Sequence, residues 1–347
     1  MNQYPGWKNF LANYLATLAV MWAGIALCAG DFRIRTFSGY FLVRIGDIMF
    51  PVTGDESLAA LGIIYTFALI PYYILLPATV SKARVLFSWL AGRVYRQRPR
   101  FGFAEKQALL AIALKFFFLP MMLNWVLTNL HGLVHEAWTL ATTATAFRLH
   151  LHFLVLKSLL FVDVAIFTLG YMIEIPSLKN VIKSVDPTFL GWAVCLACYP
   201  PFNGMVATLF PWQSSDFPRF ASPTLEIAAD GLMLGLMTVY VWATVALGWK
   251  ASNLTNRGIT DDGPYRWLRH PAYTAKNLAW WIGATPSFIA GFSHSIGDGW
   301  RAVSCMLVVS ALYAARAWTE EHHLLMLGSD YREYQARVRC RLIPGVW

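Results

Sequence analysis

Two short runs near the C-terminal end of this chain carry the residue types that chemistry needs. The first is Gly263-Pro264-Tyr265, followed by Arg269-His270-Pro271 and Tyr273. The second is Arg316 with Glu320-Glu321 and Leu324, followed by Tyr331 and Tyr334. An imidazole, guanidinium groups and a double carboxylate offer proton-transfer groups, an anion anchor and a cation anchor. They occur in a chain that is 57% hydrophobic and only 14% charged, where each charge is expensive to house and a functional reading comes first. Pro271 suits the first turn of a helix, because its missing N–H costs nothing there. His270 would then stand at a helix N-terminus, with open N–H groups that attract a carboxylate or another anion. Arg316 and Glu320 are four residues apart and share a helix face. Gly328 is expected to end that helix, and Ser329 or Asp330 to cap a short one bearing Tyr331 and Tyr334.

These runs need elements to hold them, and the composition names the solvent. Soluble domains are about 25% charged, so the apolar excess here calls for lipid. Apolar runs near membrane length cover 10–30, 58–80, 107–130, 151–173, 189–210, 225–249, 277–293 and 298–318. They predict an all-α polytopic membrane protein of about eight transmembrane helices. Fifteen Trp and fifteen Tyr suit interfacial belts. The segment 32–50 carries Arg33, Arg35, Arg44 and Asp47 and reads as an interfacial helix. Tyr199-Pro200-Pro201 breaks the fifth run and is expected to shape a chamber, since broken helices at membrane depth line cavities.

Loop charge sets the orientation. Loop 81–106 holds seven Lys and Arg, loop 250–276 five and the segment after 318 four, whereas 131–150 and 211–224 hold one each. The positive-inside rule then puts both termini, and both chemical runs, on the cytoplasmic side of a multi-pass protein, which in a bacterium would be the inner membrane. The net charge of +9 is spread over these short loops, so nucleic acid is not an expected partner. The first apolar run is near full membrane length with no convincing cleavage site after it, so no removable leader is expected. Two functional zones result: 1–220, poor in chemical signatures, and 221–347, which holds them.

The loop from Ser252 to Tyr265 is rich in Asn, Asp and Gly and reads as a turn region with exposed backbone donors. Asn253-Leu254-Thr255 has the form of a glycosylation sequon, discounted on a cytoplasmic loop. Cys195 and Cys198 have CxxC spacing inside an apolar run and read as helix packing. Lys115, Lys157, Asp163, Glu226 and Asp230 lie in the spans and read as paired or snorkelling groups. His131, His135, His150 and His152 form an outward group in which the four-residue spacing of the first pair could serve a metal, but interfacial polar residues are the plainer reading, and no metal site is assigned.

The order GPYxxxRHPxY, a helical hairpin, RxxxEExxL, YxxY and a closing Leu-Ile-Pro, over about 250–347, resembles the membrane methyltransferase superfamily of isoprenylcysteine carboxyl methyltransferases and phospholipid methyltransferases. The resemblance implies S-adenosylmethionine (SAM) as cofactor without a dinucleotide-binding domain. It implies that the cofactor is held by Arg257, Gly258, Ile259 and Thr260, by Tyr265, His270, Pro271 and Tyr273, and by Glu320. It puts Arg316 toward the substrate. Ala275 departs from the glycine that the superfamily usually carries there. The implied partner is a lipophilic small molecule or lipid-modified substrate met at the membrane: a prenylcysteine carboxylate, a lipid amine or a hydrophobic thiol. A carboxylate acceptor needs no base, whereas an amine or thiol could use Glu321 or His270. The alternatives are an NADPH-dependent membrane reductase of related fold and a non-catalytic metal-binding membrane protein.

Overall fold

The computed structural model describes residues 6–29, 40–45, 48–95, 99–143, 145–326, 330–343 and 345. Long helices dominate. Gly6–Cys28, Gly54–Leu75, Phe103–Thr142, Phe147–Met172, Pro223–Lys250 and Ile296–Leu325 are long and apolar enough to cross a membrane. The protein is an all-α polytopic membrane protein, and many large apolar side chains stay outward, among them Leu232, Trp242, Ile289 and Leu307.

The chain packs as two units, Met1–Thr128 and Asn129–Trp347. The first holds α1 (Gly6–Ala29), β1 (Tyr40–Ile45), β2 (Ile48–Thr53), α2 (Gly54–Leu75) and α3 (Lys82–Val94), and the boundary falls within α4 (Phe103–Thr142). The segment expected to lie as an interfacial helix is instead, where described, an antiparallel hairpin pairing Tyr40 with Thr53 and Ile45 with Ile48. Its Tyr-Phe-Leu-Val-Arg-Ile and Ile-Met-Phe-Pro-Val-Thr segments are rich in aromatic and β-branched residues, a strand composition that outweighs the charges. Residues 32–39, also part of that expectation, lie outside the described residues. Thr53 ends the hairpin and caps α2 through a capping box with Glu56.

The second unit contains α5 (Phe147–Met172), β3 (Ser184–Val185), α6 (Phe189–Leu196), α7 (Phe202–Leu209), α8 (Pro223–Leu247), β4 (Thr255–Asn256), α9 (Pro271–His294), α10 (Ile296–Leu325) and α11 (Asp330–Arg337). The run 189–210 is not one spanning helix. It is the pair α6 and α7, joined at the Tyr199-Pro200-Pro201 turn that the sequence marked as a break. Leu156 on α5, Met233 and Met237 on α8 and Ala279 on α9 form one buried cluster, while Ala284 on α9 packs with Met306, Val309 and Tyr313 on α10. The α9–α10 hairpin turns at Ser295, whose hydroxyl accepts from Asp298 N at 3.0 Å and so starts α10. Two of the span carboxylates are hydrogen-bonded: Glu226 accepts from Arg148 and, at 3.1 Å, from Arg219, and Asp163 accepts from Tyr240 at 2.7 Å and Thr244 at 2.6 Å, while Asp230 has Arg148 only at 3.5 Å.

Loops at one end of this unit are stitched together by backbone. The strands β3 and β4 pair antiparallel, Ser184 with Asn256 and Val185 with Thr255, so loop 174–188 is held against loop 250–262. The segment after α11 returns to the start of α9, where Arg269 N donates to Cys340 O and His270 N to Arg341 O, both at 3.0 Å. Gly328 and Ser329, expected to end α10 and cap α11, lie outside the described residues, as does Pro344.

Candidate active site

Tyr273 stands one turn into α9, three residues after His270, so both rings project from the same side, stacked with centroids 5.4 Å apart and planes 11° from parallel. Glu320 faces them from α10. It accepts from Tyr273 Oη, lies 3.8 Å from His270 Nδ1, and accepts from Arg316 Nε at 3.2 Å one turn below. Its side chain keeps 25% exposure, so a carboxylate edge remains open. Arg316 is deeply buried and donates to Asn253 Oδ1. Its guanidinium lies 4.9 Å from the Tyr273 ring centre, 5.3 Å from Tyr199 and 6.0 Å from Tyr313, inside an aromatic enclosure that suits a cation.

These side chains line one cavity, and so do Arg257, Gly258, Ile259, Thr260 and Tyr265. Its inner wall is aromatic and apolar, from Phe167, Tyr240, Leu247 and Tyr313. Its outer wall is the 250–260 loop with α11, whose Tyr331 and Tyr334 close over it; Tyr334 Oη donates to Tyr265 O at 2.8 Å. Burial pushes the Tyr265 and Tyr334 phenols well above their ordinary range, so both stay neutral donors. Burial also pushes the Arg257 guanidinium down from its ordinary value.

The sequence-derived site residues divide. Arg257 to Thr260, Tyr265, His270, Tyr273, Arg316 and Glu320 come together on the cavity wall. Pro271 and Glu321 are not on it. Pro271 is buried at the first turn of α9, where it starts the helix. Glu321 turns away from the cavity, as adjacent helix positions must, and is fully engaged: Oε1 accepts from Arg269 Nε at 2.8 Å and contacts His270 Nε2 at 3.1 Å, while Oε2 accepts from Gln335 and Arg341, each at 3.0 Å. Just before α9, carbonyls of the returning C-terminal segment take the Arg269 and His270 N–H groups. Asn253 is buried, with Nδ2 donating to Tyr171 Oη at 2.9 Å, so the sequon asparagine is a packing residue.

Lys276, Tyr313, Tyr240 and Asn253 also line the cavity. Two of them were within reach of helical period: Lys276 is three residues after Tyr273 and Tyr313 three before Arg316. Asn253 had no such signal. The outward histidines stand apart, with His150 Nδ1 2.7 Å from Glu136 Oε2 and His152 Nε2 2.7 Å from Asp216 O. Among the described residues no group of three or more His, Cys, Asp or Glu is placed to hold a metal ion.

A family model covers residues 144–338, more than half of the chain. The chain belongs to the DUF1295 family. DUF1295 is described as a family of proteins of unknown function, and its match spans α5 to α11, the helices and loops that build the cavity. No curated protein and no solved structure matches the chain.

Proposed function

We propose that this DUF1295 protein is a SAM-dependent methyltransferase that modifies a lipophilic acceptor at the cytoplasmic membrane face. The observation that carries the reading is Glu320. It is a carboxylate with an open edge, held by Tyr273 and Arg316 at the place where the polar loop meets the aromatic inner wall. The donor set suits the cofactor: a carboxylate beside tyrosine faces attracts an ammonium or sulfonium, and buried Arg257 and the 257–260 backbone offer donors to a polar end. Bound there, SAM supplies an electrophilic methyl group for in-line displacement.

The chain's own residues then bind, align and exclude water. Glu320 balances positive charge on the cofactor side. Arg316, fixed by Asn253 and three tyrosine rings, presents a positive field to the acceptor. Tyr331 and Tyr334 roof the loop side, and the aromatic inner wall faces a hydrophobic tail. His270, between Glu320 and Glu321, is the imidazole at the cavity edge that can take a proton from an amine or thiol acceptor.

Calorimetric titration of the purified protein in uncharged detergent with SAM tests the reading, for wild type and Glu320→Gln. Saturable binding by wild type that weakens at least tenfold in the variant is expected. A folded wild type that does not bind SAM overturns it and brings a nicotinamide-dependent reductase forward.

A further inference from the structure

One cation on the cavity wall has no acceptor to hold it. Five Lys and Arg side chains line the cavity against two carboxylates, Asp186 and Glu320. Four of the five are answered. Lys250 Nζ donates to Ile259 O at 3.0 Å, Arg257 Nη1 to Asn180 O at 2.7 Å, Arg269 Nε to Glu321 at 2.8 Å and Arg316 Nε to Glu320 at 3.2 Å. The fifth is Lys276. It stands on α9 one turn after Tyr273, half-buried and open to the cavity. Its Nζ lies 5.2 Å from the ring centre of Tyr240 on α8 and 5.1 Å from that of Trp280. Among the described residues it makes no hydrogen bond and no ion pair.

Other charges act on it without meeting it. Asp163 and Asp216 attract it and Arg316 repels it. Asp163, the strongest of these, has one oxygen on Tyr240 Oη and the other on Thr244 Oγ1. Two ring faces ease the housing of an ammonium, but they do not replace the three hydrogen bonds that it can donate. A snorkelling lysine carries its ammonium out to water, whereas this one lies on the inner aromatic wall. An anionic group on a ligand would answer it, and the wall from Phe167, Tyr240 and Tyr313 suits the rest of a hydrophobic ligand. An amine acceptor, protonated at neutral pH, meets Lys276 and Arg316 as like charges. A thiol enters neutral, whereas a carboxylate enters already charged.

We propose that Lys276 is an anion-binding residue of this cavity and selects a lipophilic acceptor that bears a carboxylate. Naming that carboxylate as the methyl acceptor rests on the methyltransferase reading; the anion site does not. In the transfer a carboxylate oxygen bonds to the methyl carbon, the carbon–sulfur bond breaks and its electron pair stays on sulfur. No proton is released, so no base is needed. The ester that forms is uncharged and loses its hold on Lys276.

The test is calorimetry on the whole chain in uncharged detergent, with octanoate, octylamine and methyl octanoate as separate probes and the heat of protein-free detergent subtracted. Each is titrated with and without S-adenosylhomocysteine, which lacks the methyl group, and SAM is titrated separately. Octanoate should saturate wild type more tightly than either other probe. It should bind Lys276→Met about tenfold more weakly or worse, with affinity recovered in Lys276→Arg. Should Lys276→Met fail to fold, the preference of wild type for octanoate over octylamine decides alone. Lysine-dependent octanoate binding in a protein that ignores SAM upholds the anion site and removes the methyltransferase reading. Three results overturn the proposal and leave that reading with an amine or a thiol: no saturation by octanoate in either condition, equal octanoate affinity in wild type and Lys276→Met, or tighter binding of octylamine.

Discussion

Glu320 and Glu321 are neighbours of one chemical type, and their surroundings give them opposite jobs. Glu321 is 2% exposed and is the shared counter-charge of Arg269 and Arg341, whose side chains are 9% and 16% exposed. Glu321→Gln would leave two nearly buried guanidinium groups without their anion. Breaking a buried pair on one side costs about 3–5 kcal/mol. A fall of several degrees in the thermal unfolding midpoint in detergent is therefore expected, with SAM affinity retained by the folded fraction. Glu320→Gln should differ in the ligand: it removes the carboxylate that buried Arg316 donates to and so also costs stability, but its folded fraction should lose SAM affinity. An unchanged midpoint for Glu321→Gln would show that the Arg269 and Arg341 charges are met elsewhere. Tyr273 is the next residue to separate these roles. Tyr273→Phe keeps the ring over Arg316 but removes the hydroxyl that Glu320 accepts from. A hydrogen bond to a charged group is worth about 1.5–3 kcal/mol. SAM affinity should drop by roughly ten- to a hundredfold with stability little changed, and calorimetry on the variant reads both.

At the scale of elements, the cavity exists because α8, α9 and α10 approach closely and because two loops and a returning C-terminal segment are pinned at one end. The membrane runs and the chemical motifs were legible because apolar length and helical period leave a direct trace in sequence. Arg316 with Glu320 and His270 with Tyr273 are one turn apart, and the fold only had to put the two helices face to face. The loop contacts left no such trace. Ser184 meeting Asn256, or Arg341 meeting His270, is backbone pairing across about seventy residues, and backbone pairing does not select a side chain. This is also why Glu321 read as a candidate base: two of its partners, Gln335 and Arg341, arrive from α11 and the returning segment. The close approach on α9 is checkable at Gly283. A Cβ there would collide with Ser215 O and Ser214 Oγ, and Gly283 O accepts from Ser215 N at 3.0 Å. Backbone cannot move aside as a side chain does, and overpacking of this kind costs about 1–3 kcal/mol. Gly283→Ala should lower the thermal midpoint, and Gly283→Val more so. If both variants melt with wild type, α9 does not lie this close to loop 211–222.

For the whole molecule the argument turns on which side of the membrane the cavity mouth faces. Arg269, Arg341, Lys250 and Lys183 gather at the end of the second unit where α9 begins and α10 ends, while the Ser295 turn marks the opposite end of that hairpin. The positive-inside rule assigns the cation-rich end to the cytoplasm, where a soluble cofactor is available. The assignment is testable without knowing the substrate. With the five native cysteines replaced, single cysteines at Ser177, Asp262 or Arg339 should resist a membrane-impermeant maleimide in intact cells and react once the membrane is opened. Cysteines at Ala221 or Ser295, both exposed, should react in intact cells. The reverse pattern would put the cavity mouth outside, away from cytoplasmic SAM, and the methyltransferase reading would fall with it.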